Sequence, residues 1–217
     1  MEIRNKTFHF LGDSITEGYG LSDINFSYWK LLEKNDQASV KGYGIGGTRF
    51  AIQRIPTPEP SADQNFPSRI ESMDSNADAV VVFGGTNDFG HGDAPFGQMN
   101  DRTAETFYGA LHVTCLSLIK KYPEAQLVFM TPLHRADENM IINSYGYRCA
   151  ARLIDYVDAI LEVAGYYSIP VLDLYRISGI QPAVPVLRAK YAPDGLHPNE
   201  NGHMLIYRKL RNFLALL

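Results

Sequence analysis

The stretch Phe8-His9-Phe10-Leu11-Gly12-Asp13-Ser14-Ile15-Thr16-Glu17-Gly18 joins an apolar run to a polar turn bounded by glycine. The run begins at Thr7 and has the length and aromatic content of a short buried strand. It breaks at Gly12, which leaves Ser14 on the turn at the strand's carboxyl end. The same pattern recurs downstream. Ala77-Asp78-Ala79-Val80-Val81-Val82-Phe83 is a continuous, largely β-branched run suited to a strand covered on both faces, and it stops at Gly84-Gly85-Thr86-Asn87-Asp88. Further strands are expected at Ala38 to Tyr43, Leu127 to Thr131 and Ile169 to Leu172.

Helical patterns fill the gaps between these strands. Phe26 to Lys34 and Pro67 to Met73 read as short helices. Phe107, Leu111, Cys115, Leu118 and Tyr122 follow the helical period, with Thr103 as the expected cap. Ser144 to Ala164 reads as a long helix stopped by Gly165, and Asn199 caps a last one whose face is Ile206, Leu210, Phe213 and Leu217. The proline-rich segment 55–60 reads as a surface loop, residues 89–102 as a Gly- and Asp-rich loop, and Ser178 to Pro193 as irregular. Alternating strands and helices predict a parallel sheet with helices on both faces, in one α/β domain over residues 1–217.

Composition narrows the function classes. A chain of 217 residues, 45% hydrophobic and 20% charged, can bury one large core and is too apolar for a disordered protein. Net charge is −4 and no Lys/Arg cluster occurs, which argues against nucleic acid or an anionic membrane as partner. Cys115 and Cys149 both fall in helical patterns and read as buried small hydrophobes, without metal or redox spacing. No apolar run approaches the roughly 18 residues of a membrane span, and the chain enters its first strand soon after Met1. The expectation is a soluble, cytoplasmic protein. Nothing in the sequence specifies an oligomeric state.

The polar segments follow the strands rather than precede them. In an open parallel sheet the ligand crevice lies outside the carboxyl ends of the strands. Ser14, Gly46-Gly47, Asn87 and His134 each follow a strand, so all four loops are expected on one edge. Asp194-Gly195-Leu196-His197-Pro198 follows the fifth strand at a greater distance. Each piece has two readings. Ser14 is a nucleophile or a helix cap, and Asp194/His197 is a base with its orienting acid or ordinary loop polarity. Gly46-Gly47 is a turn or a close approach for an oxyanion, and Asn87 is an amide donor or a turn former. A serine, a histidine, an acid and convergent N–H donors are together what acyl transfer requires.

Taken in order, Gly12-Asp13-Ser14, Gly47, Gly85-Thr86-Asn87 and Asp194-Gly195-Leu196-His197 resemble the four signature blocks of the GDSL/SGNH hydrolase family, from Phe8 to the last helix. The resemblance implies a flavodoxin-like, five-stranded parallel sheet in a three-layer α/β/α sandwich. It implies Ser14 as nucleophile, His197 as general base, Asp194 as its orienter, and an oxyanion hole from the Ser14 and Gly47 amides and the Asn87 side chain. Gly46 is an alternative to Gly47. It implies ester hydrolysis through an acyl-enzyme, with a small-molecule ester as substrate and no cofactor or metal. One departure stands out: the second block usually begins with Asn, and Gly42 occupies that position, so a local hydrogen bond is expected to be lost.

Asp13 is expected mainly to fix its turn, and with His91, His134 and Arg135 it is also a candidate substrate-binding residue. The family handles short esters, acetylated sugars, lipids and thioesters. Polar loops and the lack of a long apolar insertion point here to a short acyl group, acetyl included, on a polar alcohol such as a sugar. Three other readings compete. Gly42-x-Gly44-x-x-Gly47 matches the dinucleotide fingerprint, but it follows the second strand and leads into a proline-rich tract. A non-catalytic binding module on the same fold has no sequence feature in its favour. His91, Asp93 and His134 match no metal-ligand spacing.

Overall fold

A computed structural model describes all residues, 1–217. The five strands, β1 (Thr7–Gly12), β2 (Ser39–Gly44), β3 (Ala79–Phe83), β4 (Gln126–Met130) and β5 (Val171–Leu172), form one parallel sheet in the order β2-β1-β3-β4-β5. The helices are α1 (Ser14–Glu17), α2 (Tyr28–Asp36), α3 (Phe66–Arg69), α4 (Thr86–Gly90), α5 (Phe107–Lys121), α6 (Leu153–Tyr166), α7 (Leu174–Ile177), α8 (Pro185–Tyr191) and α9 (Glu200–Leu214). No helix is long and apolar enough to cross a membrane.

The period-two alternation of the strands assigns the layers. Phe8 and Phe10 of β1, Val81 and Phe83 of β3, and Val128 and Met130 of β4 pack with Leu31 and Leu32 of α2 and Ile206 and Leu210 of α9. Leu11, Val80, Val82, Leu127 and Phe129 point the other way, onto Leu111 and Leu118 of α5 and Tyr156 and Ile160 of α6. A central strand buried on both faces needs apolar residues at every position, and β3 is buried throughout. The result is the parallel sheet with helices on both faces expected from the alternation, and the three-layer, flavodoxin-like α/β sandwich that the resemblance implies.

Several boundaries differ from the sequence reading, each for a local reason. The long helix begins at Leu153, not Ser144. Residues 141–149 instead form a tight turn around Asn143, whose side-chain oxygen accepts from the Tyr145 and Tyr147 amides. That local satisfaction competes with a helix, which starts only where the Arg152 amide donates to Asp155. Cys149 lies in this turn and not on a helix. Helix α5 is capped by Thr106, whose Oγ1 accepts from the Gly109 amide at 3.1 Å. Thr103 cannot be the cap because its carbonyl crosses the helix at Gly109, 2.0 Å from where a Cβ would stand. Within the segment expected to be irregular, Pro185 opens α8, where a missing N–H costs nothing.

Candidate active site

The carboxyl edge of the sheet gathers four loops. At the end of β1 the chain turns into α1, and Asp13 is its cap: Oδ1 accepts from the Ile15 amide at 3.0 Å. Ser14 is therefore the first helical residue, not the cap. Its own N–H is one of the free donors of a helix start and has no acceptor in the protein. Asp13 is almost fully buried, and burial pushes its carboxyl up to about 7, against the pull of the Ile15 amide and Arg69. It holds the turn and is not exposed to a substrate, which corrects its inclusion among the substrate-binding candidates.

Ser14 Oγ lies 3.0 Å from His197 Nε2. On the far side of the ring, Nδ1 is 2.7 Å from Asp194 Oδ2. Asp194 Oδ1 accepts from the Leu196 and His197 amides at 2.9 and 2.7 Å, so one carboxylate folds its own loop and orients the imidazole. Partial burial disfavours the charged carboxylate, but those two amides and the ring outweigh it and hold Asp194 below its ordinary value. With a carboxylate on Nδ1, the proton of a neutral imidazole sits there and leaves Nε2 free to accept from Ser14.

The second loop follows β2. Gly46 and Gly47 donate through neither amide to the protein. Gly47 has φ +76°, and a Cβ there would stand 2.7 Å from that of Ala62. At Gly46 a Cβ would stand 2.8 Å from Glu17 Oε2 and 3.7 Å from Ser14 Cβ, so the bare backbone of this turn faces the serine. The third loop carries Asn87, buried, whose Nδ2 donates to the Thr48 carbonyl at 3.0 Å and keeps its second N–H unengaged. Asn87 is thereby tied to the residue after Gly47.

Buried charged groups outside the sequence motifs fix these loops to one another. Arg69 donates to the Gly12 carbonyl, the Tyr43 carbonyl and Thr48 Oγ1, joining the ends of β1 and β2 to the glycine turn. Burial draws its guanidinium down to about 10. Asp88 accepts from the Phe50 and Ala51 amides at 3.0 and 2.9 Å, and burial raises it to about 6 against those two amides. Neither role has a signature in sequence, because the partners lie far away along the chain and are mostly backbone atoms. A third residue missing from the sequence reading is Tyr19, whose ring centroid lies 4.4 Å from that of His197.

The remaining candidates separate. His91 stands beside the site: its Cε1 is 3.9 Å from the place a Gly47 Cβ would take, and Arg49 Nη1 donates to its Nδ1 at 2.7 Å. Burial and the Arg49 charge lower its pKa to about 4, so it is neutral with its proton on Nε2. His134 pairs with Glu138 at 2.7 Å and packs on Tyr175, and no contact ties it to Ser14 or His197. Arg135 is buried. It binds Asp137 and the Thr86 carbonyl, so it braces the start of α4 instead of lining a pocket rim. Asp93 accepts from the Arg54 and Ile55 amides, and with His91 on Arg49 and His134 on Glu138 these three residues form no common cluster.

The fold has counterparts among known proteins. The chain is similar to a solved protein from Lactobacillus plantarum, 33% identical over 98% of each chain with a TM-score of 0.83. It shares its fold with a member of the lipolytic protein G-D-S-L family from Veillonella parvula, 18% identical over 97% of this chain and 99% of that one, TM-score 0.65. It shares it also with an acetyl xylan esterase, 20% identical over 95% and 98% of the two chains, TM-score 0.65. No curated protein sequence matches. The profile of the GDSL-like Lipase/Acylhydrolase family matches residues 10–205. By that match, which takes in the Ser14 turn and the Asp194–His197 loop alike, the chain belongs to the GDSL-like lipase/acylhydrolase family.

Proposed function

We propose that this protein is a serine esterase that cleaves short-chain esters through an acyl-enzyme. Family membership implies an ester-bond hydrolase. The observation that carries the mechanism is the unbroken line from Ser14 Oγ through His197 to Asp194, with spacings of 3.0 and 2.7 Å.

His197 Nε2 takes the hydroxyl proton as Ser14 Oγ attacks the ester carbonyl carbon. Asp194 stabilises the imidazolium so formed. The carbonyl oxygen becomes an oxyanion facing three donors: the Ser14 amide, the Gly47 amide and the free N–H of Asn87. Collapse of the tetrahedral intermediate breaks the bond to the alcohol, whose oxygen takes the proton from Nε2. Water then enters the alcohol's place and attacks the acyl carbonyl as Nε2 takes its proton; collapse breaks the bond to Ser14 Oγ, which takes that proton back from Nε2 as the acid leaves. Donors fixed by Arg69 and Asp88 need no rearrangement as charge develops, which is where such sites gain most. Polar side chains beside the glycine turn, Glu17 at Gly46 and His91 at Gly47, favour a short acyl group such as acetyl on a polar alcohol over a long lipid chain.

Ser14→Ala tests the assignment. Hydrolysis of p-nitrophenyl acetate should fall by about 10⁴-fold or more, with the circular dichroism spectrum unchanged. A fluorophosphonate probe should label the wild type at Ser14 and leave the variant unlabelled. A variant that still turned the ester over at the wild-type rate would end the proposal.

A further inference from the structure

We infer that Tyr19 is a specificity-determining residue for the alcohol half of the ester, an inference that rests on the esterase reading above. Both ring nitrogens of His197 are engaged in the plane of the imidazole, Nδ1 by Asp194 and Nε2 by Ser14. Only the two faces of the ring remain. Tyr19 covers one of them, with centroids 4.4 Å apart and planes tilted by 45°.

The placement is built into the nucleophile's own turn. Gly18 has φ +91° and reverses the chain at the end of α1. The Gly18 and Tyr19 amides both donate to the Ser14 carbonyl, at 3.0 and 2.9 Å. Ile24 packs beneath this turn, its Cδ1 2.5 Å from where a Gly18 Cβ would stand. The Tyr19 backbone is thus tied to the residue that attacks. Its side chain makes no hydrogen bond through the hydroxyl, yet it remains 59% exposed while packed on the imidazole. Packed on the imidazole and open to solvent elsewhere, the ring is accessible to whatever occupies the catalytic centre.

Chemistry tells which part of the ligand meets it. The leaving oxygen must come within hydrogen-bond reach of Nε2, since that nitrogen returns the proton. The developing oxyanion turns to other donors, the unengaged amides of the glycine turn that faces Ser14 and the second N–H of Asn87. A ring packed on the imidazole therefore lies against the departing alcohol. Its apolar face suits the C–H faces of a cyclic alcohol and offers little to methanol.

The test measures kcat/KM, which reports acylation, for methyl acetate, cyclohexyl acetate and methyl butyrate with the wild type, Tyr19→Ala and Tyr19→Phe. In Tyr19→Ala the cyclohexyl-to-methyl ratio should fall about tenfold, the scale of one apolar contact in a pocket. The loss should come through KM, and Tyr19→Phe should keep the wild-type ratio. The butyrate-to-acetate ratio should not move in either variant. A uniform loss on all three esters would mean that Tyr19 only steadies His197, and a shifted butyrate-to-acetate ratio would place it on the acyl side; either result, or an unchanged cyclohexyl-to-methyl ratio, overturns the inference. Failure of the esterase reading is separate: it would appear as hydrolysis that survives Ser14→Ala.

Discussion

Replacing Asp194 by Asn and by Ala should give two different losses, and their order tests how the imidazole is held. Asp194 uses its two oxygens differently: Oδ1 accepts from two backbone amides and Oδ2 faces His197 Nδ1 at 2.7 Å. In Asp194→Asn the single carbonyl oxygen is claimed by the two amides, so the NH₂ group must face Nδ1. The imidazole then carries its proton on Nε2 and cannot take one from Ser14. A wrong tautomer imposed this way in a serine triad costs on the order of 10⁴-fold in kcat. In Asp194→Ala no tautomer is imposed. The Asp194 side chain is 49% exposed, and water can reach Nδ1 in its absence. Ala loses the Oδ1 bonds from the Leu196 and His197 amides that fold the loop, which the thermal melts report, and it loses the attraction between carboxylate and imidazolium. At a charge separation of about 4 Å and an effective dielectric of about 20 this is roughly 4 kcal/mol. Half exposure reduces it to about 2 kcal/mol, or about 30-fold at 1.4 kcal/mol per decade. Steady-state kcat on p-nitrophenyl acetate at pH 7.5 measures both, with thermal melts to establish folding. A folded Asp194→Asn losing less than about tenfold would refute the tautomer argument, as would an Ala variant that melts like the wild type and is still slower than Asn.

Asn87→Ala should lower kcat by about 100- to 1,000-fold with little change in KM, as for one oxyanion donor removed; a loss confined to KM would assign Asn87 to ground-state binding. His203 predicts a stability profile. It is buried, accepts from the Tyr28 amide through Nδ1, and has its pKa lowered to about 3 by burial and then by the His197 charge. A depressed folded value means its contribution is full above the unfolded value of about 6.5 and lost as pH falls toward 3. Between pH 7.5 and 5.5 the wild type should lose about 1.4 kcal/mol more than His203→Asn in urea titrations, and equal losses would contradict the burial argument.

The strands and the residues at their carboxyl ends were legible because both depend on local pattern. A β-branched run such as Val80-Val81-Val82 can be little else than a covered strand, and a glycine break after it marks the edge where ligands bind. Asp194 and His197 were legible for a related reason, since they stand three positions apart and the loop is closed by Asp194 itself. Sequence offers no such handle on Arg69, whose partners are carbonyls and a hydroxyl 21 to 57 residues away. Nor does it show that residues 141–149 prefer a turn, because Asn143 wins that contest partly through its contact with the Gly92 carbonyl. Arg135 looked available as a charged loop residue and is consumed inside the protein by Thr86 and Asp137. Tyr19 was hidden by its exposure, which reads as ordinary surface until the ring of His197 is found beneath it.

Gly42, the one departure from the block pattern, shows how the same edge can be held by other means. In β2 it pairs with Phe10, and a Cβ there would stand 2.6 Å from Cζ2 of Trp29. An asparagine would have to displace the indole. The indole is not idle packing: its Nε1–H donates to the Thr16 carbonyl at 2.8 Å, within the short helix that begins at Ser14. Thr16 Oγ1 in turn pairs with the Tyr28 hydroxyl at 2.9 Å. A bare glycine on β2 thus admits an aromatic residue of α2, and that residue supplies a buried hydrogen bond to the nucleophile's helix from the layer in which Ile15 of that helix packs. Buried polar groups of that helix must find partners wherever the donors come from. Losing the side chain at position 42 therefore removes one local donor while making room for another, and the Ser14 turn remains anchored on both sides of the sheet, by Asp13 and Arg69 from its own edge and by Trp29 from beneath.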